Sequence, residues 1–383
     1  MEHIGKTWVE LSADHLASNV RALKRHITAD VQMMAAVKAN AYGHGLCEVA
    51  SIAVKNGANW LGVDNVDEGM VLRKAGIKVP ILVLGYTLRE RLPDCIQHQL
   101  SFMVCTPESV SALRKLFSEK RFARSQALIH LKIETGTVRQ GIEGEELRRL
   151  VRAIKKIPQI SIQGAYTHFA NIEEMVDQSH AAMQLARFRL ALALLAEEDV
   201  RPPYIHTACS AASLLLPETH FNLVRIGIAV YGIWPSETVR RAVEKKAPDL
   251  KLKPVLTWKT VVAQIKRASK GTAIGYGFSE RVKRDTTIAV LPVGYWDGYG
   301  RYQSSKGQVL IHGCRCKVLG RICMNMCMVD VTDVPRIRVE DEVILLGRKG
   351  TEAVPAEEIA GHADSIAYEI VTRINPLIPR MIR

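Results

Sequence analysis

Between residues 12 and about 240 one pattern recurs: a short apolar run, turn chemistry, then a helical stretch with apolar residues three and four apart. Eight such runs occur, at 31–37, 60–63, 80–84, 101–105, 127–133, 162–167, 204–206 and 223–231. Thr106-Pro107-Glu108 shows how a helix begins after one of them: a capping hydroxyl, proline at the first helical position and an early carboxylate. Strands that alternate with helices pair in parallel, and eight of them predict a closed (β/α)8 barrel. An open doubly wound sheet calls for a G-x-G-x-x-G turn after its first strand, whereas the first strand here runs into a lysine. Past residue 245 the helical patterns give way to β-branched alternation punctuated by glycine, at 255–267, 286–292, 309–331 and 342–346. The expected architecture is α/β: an N-terminal (β/α)8 barrel over 12–244, then a smaller, mostly β domain over 245–383. The strand-like segment 7–11 fits either part and is grouped, as residues 1–11, with the β domain.

Charge decides little about the fold but narrows the partners. The chain has 52 Lys+Arg against 39 Asp+Glu, a net +13. The basic residues are scattered along helices among glutamates (Arg148, Arg149, Arg152, Lys155, Lys156) rather than gathered in a tail or interleaved with aromatics. That is the pattern of a solvated helix face, not of a nucleic-acid surface. No apolar run reaches bilayer-spanning length, and the first residues lack the apolar core of a signal peptide, so no membrane partner and a cytoplasmic location are expected. The eight cysteines have no dense regular spacing and read as reduced thiols. Cys314, Cys316, Cys323 and Cys327, with His312 nearby, have a one-residue gap in the first pair where a zinc site takes two to four, so no metal is expected. Strand alternation instead puts Cys314 and Cys316 on one face.

Barrel chemistry gathers at the C-terminal ends of the strands, and Lys38 stands there in the first unit. A lysine directly after apolar or small residues can be partly desolvated, which frees its neutral amine for imine formation. The segment AVKANAYGHG, 36–45, resembles the pyridoxal-phosphate signature of alanine racemases. The resemblance implies that Lys38 carries pyridoxal 5'-phosphate covalently and that Tyr42 contacts its phosphate. It continues along nearly the whole chain. HLKIETGTVRQGI, 130–142, is similar to the family segment whose arginine, here Arg139, holds the cofactor's ring oxygen and the substrate carboxylate; Lys132 matches a lysine that some members carbamylate. YTHFANIEE puts His168 after strand six, HTACSAASLL puts Ser210 after strand seven, and LVRIGIAVYG puts Arg225, Gly227 and Ile228 at strand eight. The loops after strands seven and eight are the usual phosphate site of such barrels. Arg225 matches the residue that faces the pyridine nitrogen. A guanidinium cannot accept a proton, so the ring stays a weaker electron sink and a carbanion is reprotonated at Cα, which favours racemisation.

Inverting a stereocentre needs acid–base groups on both faces, and one lysine covers one. Gly275-Tyr276-Gly277 matches the family motif that carries the other base, Tyr276. A free tyrosine is a poor base at neutral pH unless cations lie near it, and the family suggests His168 and Arg225 as their source. In alanine racemases this tyrosine reaches the partner subunit's barrel, implying a homodimer with shared sites. Tyr295 and Met324 match substrate-side residues from the same domain, and Tyr368 matches the tyrosine that closes on the phosphate. The expected function is L-alanine/D-alanine interconversion by two bases, supplying D-alanine for peptidoglycan. Three departures from the family bear on substrate breadth: Cys209 for a common asparagine, Asn325 for a common aspartate, and Thr137-Val138-Arg139-Gln140 for the commoner Met-Gly-Arg-Leu. A serine or broad-specificity racemase of the same fold, and a non-catalytic pyridoxal-phosphate carrier, are the alternatives.

Overall fold

The computed structural model describes residues 5–173 and 177–383. The N-terminal residues 1–4, and Glu174 of the motif after strand six, lie outside the described residues. The chain forms two units. One comprises Leu16–Ala41 and Leu46–Lys253, the other Met1–His15, Tyr42–Gly45 and Pro254–Arg383.

Numbered along the chain, β1 (Thr7–Leu11) belongs to the second unit and the next eight strands to the first. These are β2 (Gln32–Ala36), β3 (Trp60–Val63), β4 (Ile81–Val83), β5 (Ser101–Val104), β6 (Ala127–Lys132), β7 (Ile160–Tyr166), β8 (Tyr204–His206) and β9 (Leu223–Ile226). They pair in parallel in the order β8-β7-β6-β5-β4-β3-β2-β9, with Met34 between Trp60 and Arg225. β8 and β9 are joined by single bonds rather than a ladder, Arg225 N to Ala208 O at 2.9 Å and Asn222 N to Ile205 O at 3.4 Å. This is the eight-stranded α/β architecture expected, and its interior is filled rather than open: Met34, Trp60, Leu82 and Leu223 pack together, fully buried. The eighth run is shorter than its apolar pattern suggests. Its ladder with β2 ends at Ile226, Gly227 turns the backbone to φ −104°, ψ −98°, and Ile228–Tyr231 winds into a 3-10 turn.

The second unit is a sheet with strands β10 (Leu256–Val261), β11 (Gln264–Ala268), β14 (Thr286–Leu291), β15 (Gln308–Ile311), β16 (Cys314–Leu319), β17 (Cys327–Asp330), β18 (Glu342–Lys349), β19 (Glu352–Val354) and β20 (Arg380–Ile382), with a separate ribbon of β12 (Ala273–Ile274) and β13 (Glu280–Arg281). Its order, β11-β14-β17-β16-β15-β18-β10-β1-β20, is far from sequential. β1 lies antiparallel to β10 and parallel to β20, which settles where the N-terminal strand belongs. The run 255–267 is two strands, because Val262 and Ala263 turn their amides to Asp341 O and Val290 O and lead β11 to a different neighbour. Cys314 and Cys316 share a face of β16, as alternation dictates. Among the described residues no helix is long and apolar enough to cross a membrane.

Candidate active site

Lys38, Lys132, His168 and Arg225 each lie at a strand's C-terminal end or just beyond it. Lys38 follows β2. Its side chain is 41 % exposed, so the burial expected from its apolar prelude stops at Val37, and its Nζ stands 3.8 Å from the Asp64 carboxylate beyond β3. Past Lys38 the chain makes a turn of left-handed helix: Ala39, Asn40, Ala41 and Tyr42 have φ of 54°, 54°, 52° and 53°. Asparagine tolerates this conformation, but each of the other three costs about 1–2 kcal/mol, roughly 3–6 kcal/mol together. Such strain persists only where neighbours over-determine it. The fasteners are visible: Ala41 N to Val37 O at 2.7 Å, Leu46 N to the Asn40 side chain at 2.9 Å, Asn40 N to Glu68 Oε1 at 3.0 Å, and Tyr231 Oη to Ala36 O at 2.8 Å. In the second unit Gly43, at φ +80°, lies so close to the helix Ala367–Thr372 that a Cβ would meet Val371 O at 2.1 Å. The rings of Tyr42 and Tyr368 sit 6.1 Å apart there.

Arg225, at the C-terminal end of β9, is buried and organises the barrel interior. Nη1 donates to His206 O (2.8 Å) and His206 Nδ1 (2.9 Å); Nη2 donates to Thr167 O (2.7 Å) and Thr207 O (3.1 Å), with His168 Nδ1 farther off at 3.3 Å. Its Nε keeps no partner, and no carboxylate pairs with it, among the described residues. Burial lowers its pKa to about 10, which leaves it a cation at neutral pH. Because a guanidinium only donates, His206 Nδ1 must accept. The proton of neutral His206 then sits on Nε2, which donates to His130 Nδ1 at 2.9 Å. His130 in turn carries its proton on Nε2, a buried atom with no partner among the described residues. Burial first, then the charge of Arg225, holds His206 well below its ordinary value and His130 down to about 3, so both are neutral. Room for the His130 ring comes from Gly164 on β7: a Cβ there would stand 2.1 Å from His130 Nδ1.

Tyr166 completes this layer. Its ring stacks on His206 at 4.8 Å and lies under both Lys132 Nζ (4.3 Å) and the Arg225 guanidinium (5.2 Å). Burial, reinforced by Arg225 and Arg139, pushes the Lys132 amine well below its usual value. His168 is likewise held low, by burial first and then by the charges of the neighbouring basic residues, Arg225 foremost. The positive charge expected from His168 is therefore absent near neutrality. Arg139 is exposed, with no hydrogen bond or ion pair among the described residues. It rides on a loop whose Gly136 and Thr137 amides both bond the Glu134 carboxylate. Val138 in that loop has φ 52°, left-handed and strained for a β-branched side chain, which accounts for the commoner glycine. Ser210 Oγ accepts from Gly227 N at 2.9 Å, tying the loop after β8 to the turn that begins at Ile228.

In the second unit Tyr276 sits at the tip of the β12–β13 ribbon, 71 % exposed, between glycines at φ +67° and +71°. The ribbon is anchored by Glu280, which takes Lys317 Nζ at 2.6 Å and Gly320 N at 2.7 Å. Tyr295 and Trp296 bond through their amides to Cys323 O and Met324 O, so these residues form one partly exposed apolar shelf.

Residues 11–235 match the family described as alanine racemase, N-terminal domain, and residues 255–382 match alanine racemase, C-terminal domain. The chain belongs to the alanine racemase family. It is 43 % identical over 374 residues to an alanine racemase of Symbiobacterium thermophilum, covering 98 % of this chain and 96 % of that one. Among solved structures it is similar to alanine racemase of Bacillus anthracis with bound L-Ala-P, at TM-score 0.91 and 36 % identity, covering 100 % of this chain and 96 % of that one. It is also similar to that of Clostridium difficile 630, at TM-score 0.92 and 32 % identity, covering 100 % and 97 %.

Read as an alanine racemase family sequence, the chain yields Lys38, Arg139, His168, Ser210 and Arg225. Asp64, Glu68, His130, Tyr166 and His206 escape it. The signal available for three of these was alternation: His130 lies two residues before Lys132 on β6, and Tyr166 and His206 end β7 and β8. Asp64 and Glu68 have no such signal, since they reach Lys38 and Asn40 across a loop.

Proposed function

We propose that the chain interconverts L-alanine and D-alanine with pyridoxal 5'-phosphate held on Lys38. The observation that carries this reading is the buried Arg225, whose Nε donor has no protein partner and whose charge is met by no carboxylate among the described residues. That is a site for a neutral ring nitrogen, which accepts a hydrogen bond without being protonated. Ser210, Gly227 and Ile228, at the phosphate position of β/α barrels, suit the dianion. Bound there, the cofactor supplies an electron sink that acidifies the Cα proton of an attached amino acid.

The protein's own residues do the rest. Arg139 holds the substrate carboxylate, its guanidinium unspent on other partners among the described residues. Burial pushes the Lys132 amine below its ordinary value, the direction that favours carbamylation by carbon dioxide, and the resulting negative charge would pair with Arg139. Lys38 Nζ takes or returns the Cα proton on one face and Tyr276 Oη on the other. Arg225, a donor only, would leave a ring nitrogen facing it unprotonated, which would favour return of the proton to Cα over transamination.

Exposure of Tyr276, Tyr295, Trp296 and Met324 supports a homodimer in which a second copy covers this shelf and Met324 and Tyr295 shape the substrate's way in. The reading includes a cytoplasmic enzyme supplying D-alanine for peptidoglycan. In the test, holoenzyme is reduced with borohydride, the labelled peptide is mapped, and L-alanine, D-alanine, serine and lysine are assayed for racemisation. The label is expected on Lys38 and alanine is expected to be fastest. Tyr276→Phe is expected to keep the label and lose racemisation; racemisation by that variant at the parent rate refutes the two-base assignment.

A further inference from the structure

We propose that Glu68 is a positioning residue for Lys38: its one carboxylate holds the left-handed turn after the lysine and, at the same time, the backbone of the carboxylate facing it. The proposal rests on the reading of Lys38 as the cofactor's lysine.

Glu68 occupies the third position of the helix Val66–Lys74, whose cap is Asn65; Asn65 Oδ1 accepts from Glu68 N at 3.0 Å. A glutamate at that position commonly returns to the amide of its own cap residue. Glu68 reaches past it. Oε2 accepts from Asp64 N at 2.8 Å, and Oε1 crosses to the neighbouring strand's loop to accept from Asn40 N at 3.0 Å. Asn40 is the second residue of the left-handed turn, and its own side chain takes Leu46 N, where the next helix begins. Asp64 supplies the carboxylate 3.8 Å from Lys38 Nζ.

Glu68 thus ties the loops after β2 and β3 at the two points that flank the amine. Lys38 and Asp64 are both substantially exposed, so their ion pair is too weak to hold the lysine by itself. Charge-assisted bonds to backbone N–H groups are the stronger fastener. Without them the turn can relax toward right-handed conformations, which moves the Cα of Lys38 and the line along which Nζ reaches the substrate.

The test uses the full chain, with and without pyridoxal phosphate, and the variants Glu68→Gln, Ala39→Gly, their combination, and Asn65→Ala. Glutamine keeps one acceptor and turns an N–H toward an N–H. Loss of a hydrogen bond to a charged group corresponds to a factor of roughly 10–100, so amide hydrogen exchange across 39–42 in Glu68→Gln is expected to rise by about that much. Turnover of alanine should fall by a similar factor while KM moves less than about threefold, because Arg139 is untouched. Ala39→Gly removes part of the strain that Glu68 offsets, and in the Glu68→Gln background it should restore most of the lost turnover and protection. Asn65→Ala removes the cap bond to Glu68 N but leaves the Glu68 carboxylate and both its acceptor oxygens, so exchange at 39–42 should change far less than in Glu68→Gln.

Unchanged exchange in Glu68→Gln, strict additivity with Ala39→Gly, or an equal effect from Asn65→Ala each overturns the proposal in favour of a plain helix-start role. Failure of borohydride to fix the cofactor on Lys38 in the parent protein overturns the underlying reading, and the positioning role with it, whatever the exchange data show.

Discussion

Gly164→Ala places a methyl group where the His130 ring now lies. The added Cβ would stand 2.1 Å from Nδ1, 2.5 Å from Cε1 and 2.8 Å from Cγ of a fully buried ring. The ring has little room to retreat, since Trp60 meets it edge-on at 5.5 Å and Tyr204 stacks at 6.4 Å. Overpacking of this kind costs about 1–3 kcal/mol. Moving the ring also breaks its bond with His206 and leaves His206 Nε2–H buried and unpaired, about 1–3 kcal/mol more. Replacing a strand glycine returns roughly 0.5–1 kcal/mol. The net is about 1–5 kcal/mol of destabilisation, and in a unit of this size that lowers the melting temperature by roughly 2–20 °C. Because His206 orients Arg225, turnover should fall as well. Differential scanning calorimetry on Gly164→Ala, His130→Ala and the double variant isolates the cause: removing the ring makes room for the methyl, so the double variant should be at least about 1 kcal/mol more stable than the sum of the singles requires. A Gly164→Ala protein that melts with the parent, or a strictly additive pair, refutes the account of why the glycine is there.

The neutral buried histidines set an acid limit. A histidine whose folded pKa is depressed contributes stability that is present above its unfolded value near 6.5 and is lost as pH falls toward its folded value, about 3 for His130. Unfolding free energy measured against pH should therefore decline below about 6.5, and His130→Gln should reduce that slope by about one proton, roughly 1.4 kcal/mol per pH unit. An unchanged slope would mean that the ring is already charged in the fold. Gly43→Ala adds a Cβ against Val371 O and a left-handed alanine, so urea titration should show a loss of about 2–5 kcal/mol, and no loss would show that the helix Ala367–Thr372 can yield. Glu198 accepts from Arg148 and Arg152, which hold its carboxyl at about 2. Its contribution is full above the unfolded value near 4.3 and is lost as pH falls through about 2, so Glu198→Gln should flatten that part of the acid melting profile and leave the profile near pH 7 parallel to the parent's.

The strands of the barrel, its parallel pairing and the place of Lys38 at a strand end were all legible in residue order, because an apolar run flanked by turn residues is a local property. So were Arg139, Ser210 and Arg225, carried by short motifs. The order of the second sheet was not legible: β1 and β10 are nearly 250 residues apart in the chain yet hydrogen-bonded along their lengths, and nothing within either segment names the other. The same holds inside the barrel. That His206 accepts from Arg225 and donates to His130 follows from donor chemistry only once the fold has turned side chains of β6, β8 and β9 toward one another. That Ala39, Ala41 and Tyr42 hold a left-handed turn depends on a carboxylate from the next loop, since intrinsic preference runs the other way. Periodicity and motif determined which elements and which reactive groups this chain has. Packing decided their protonation, their strain and their orientation, because those depend on the field and contacts of residues distant in sequence.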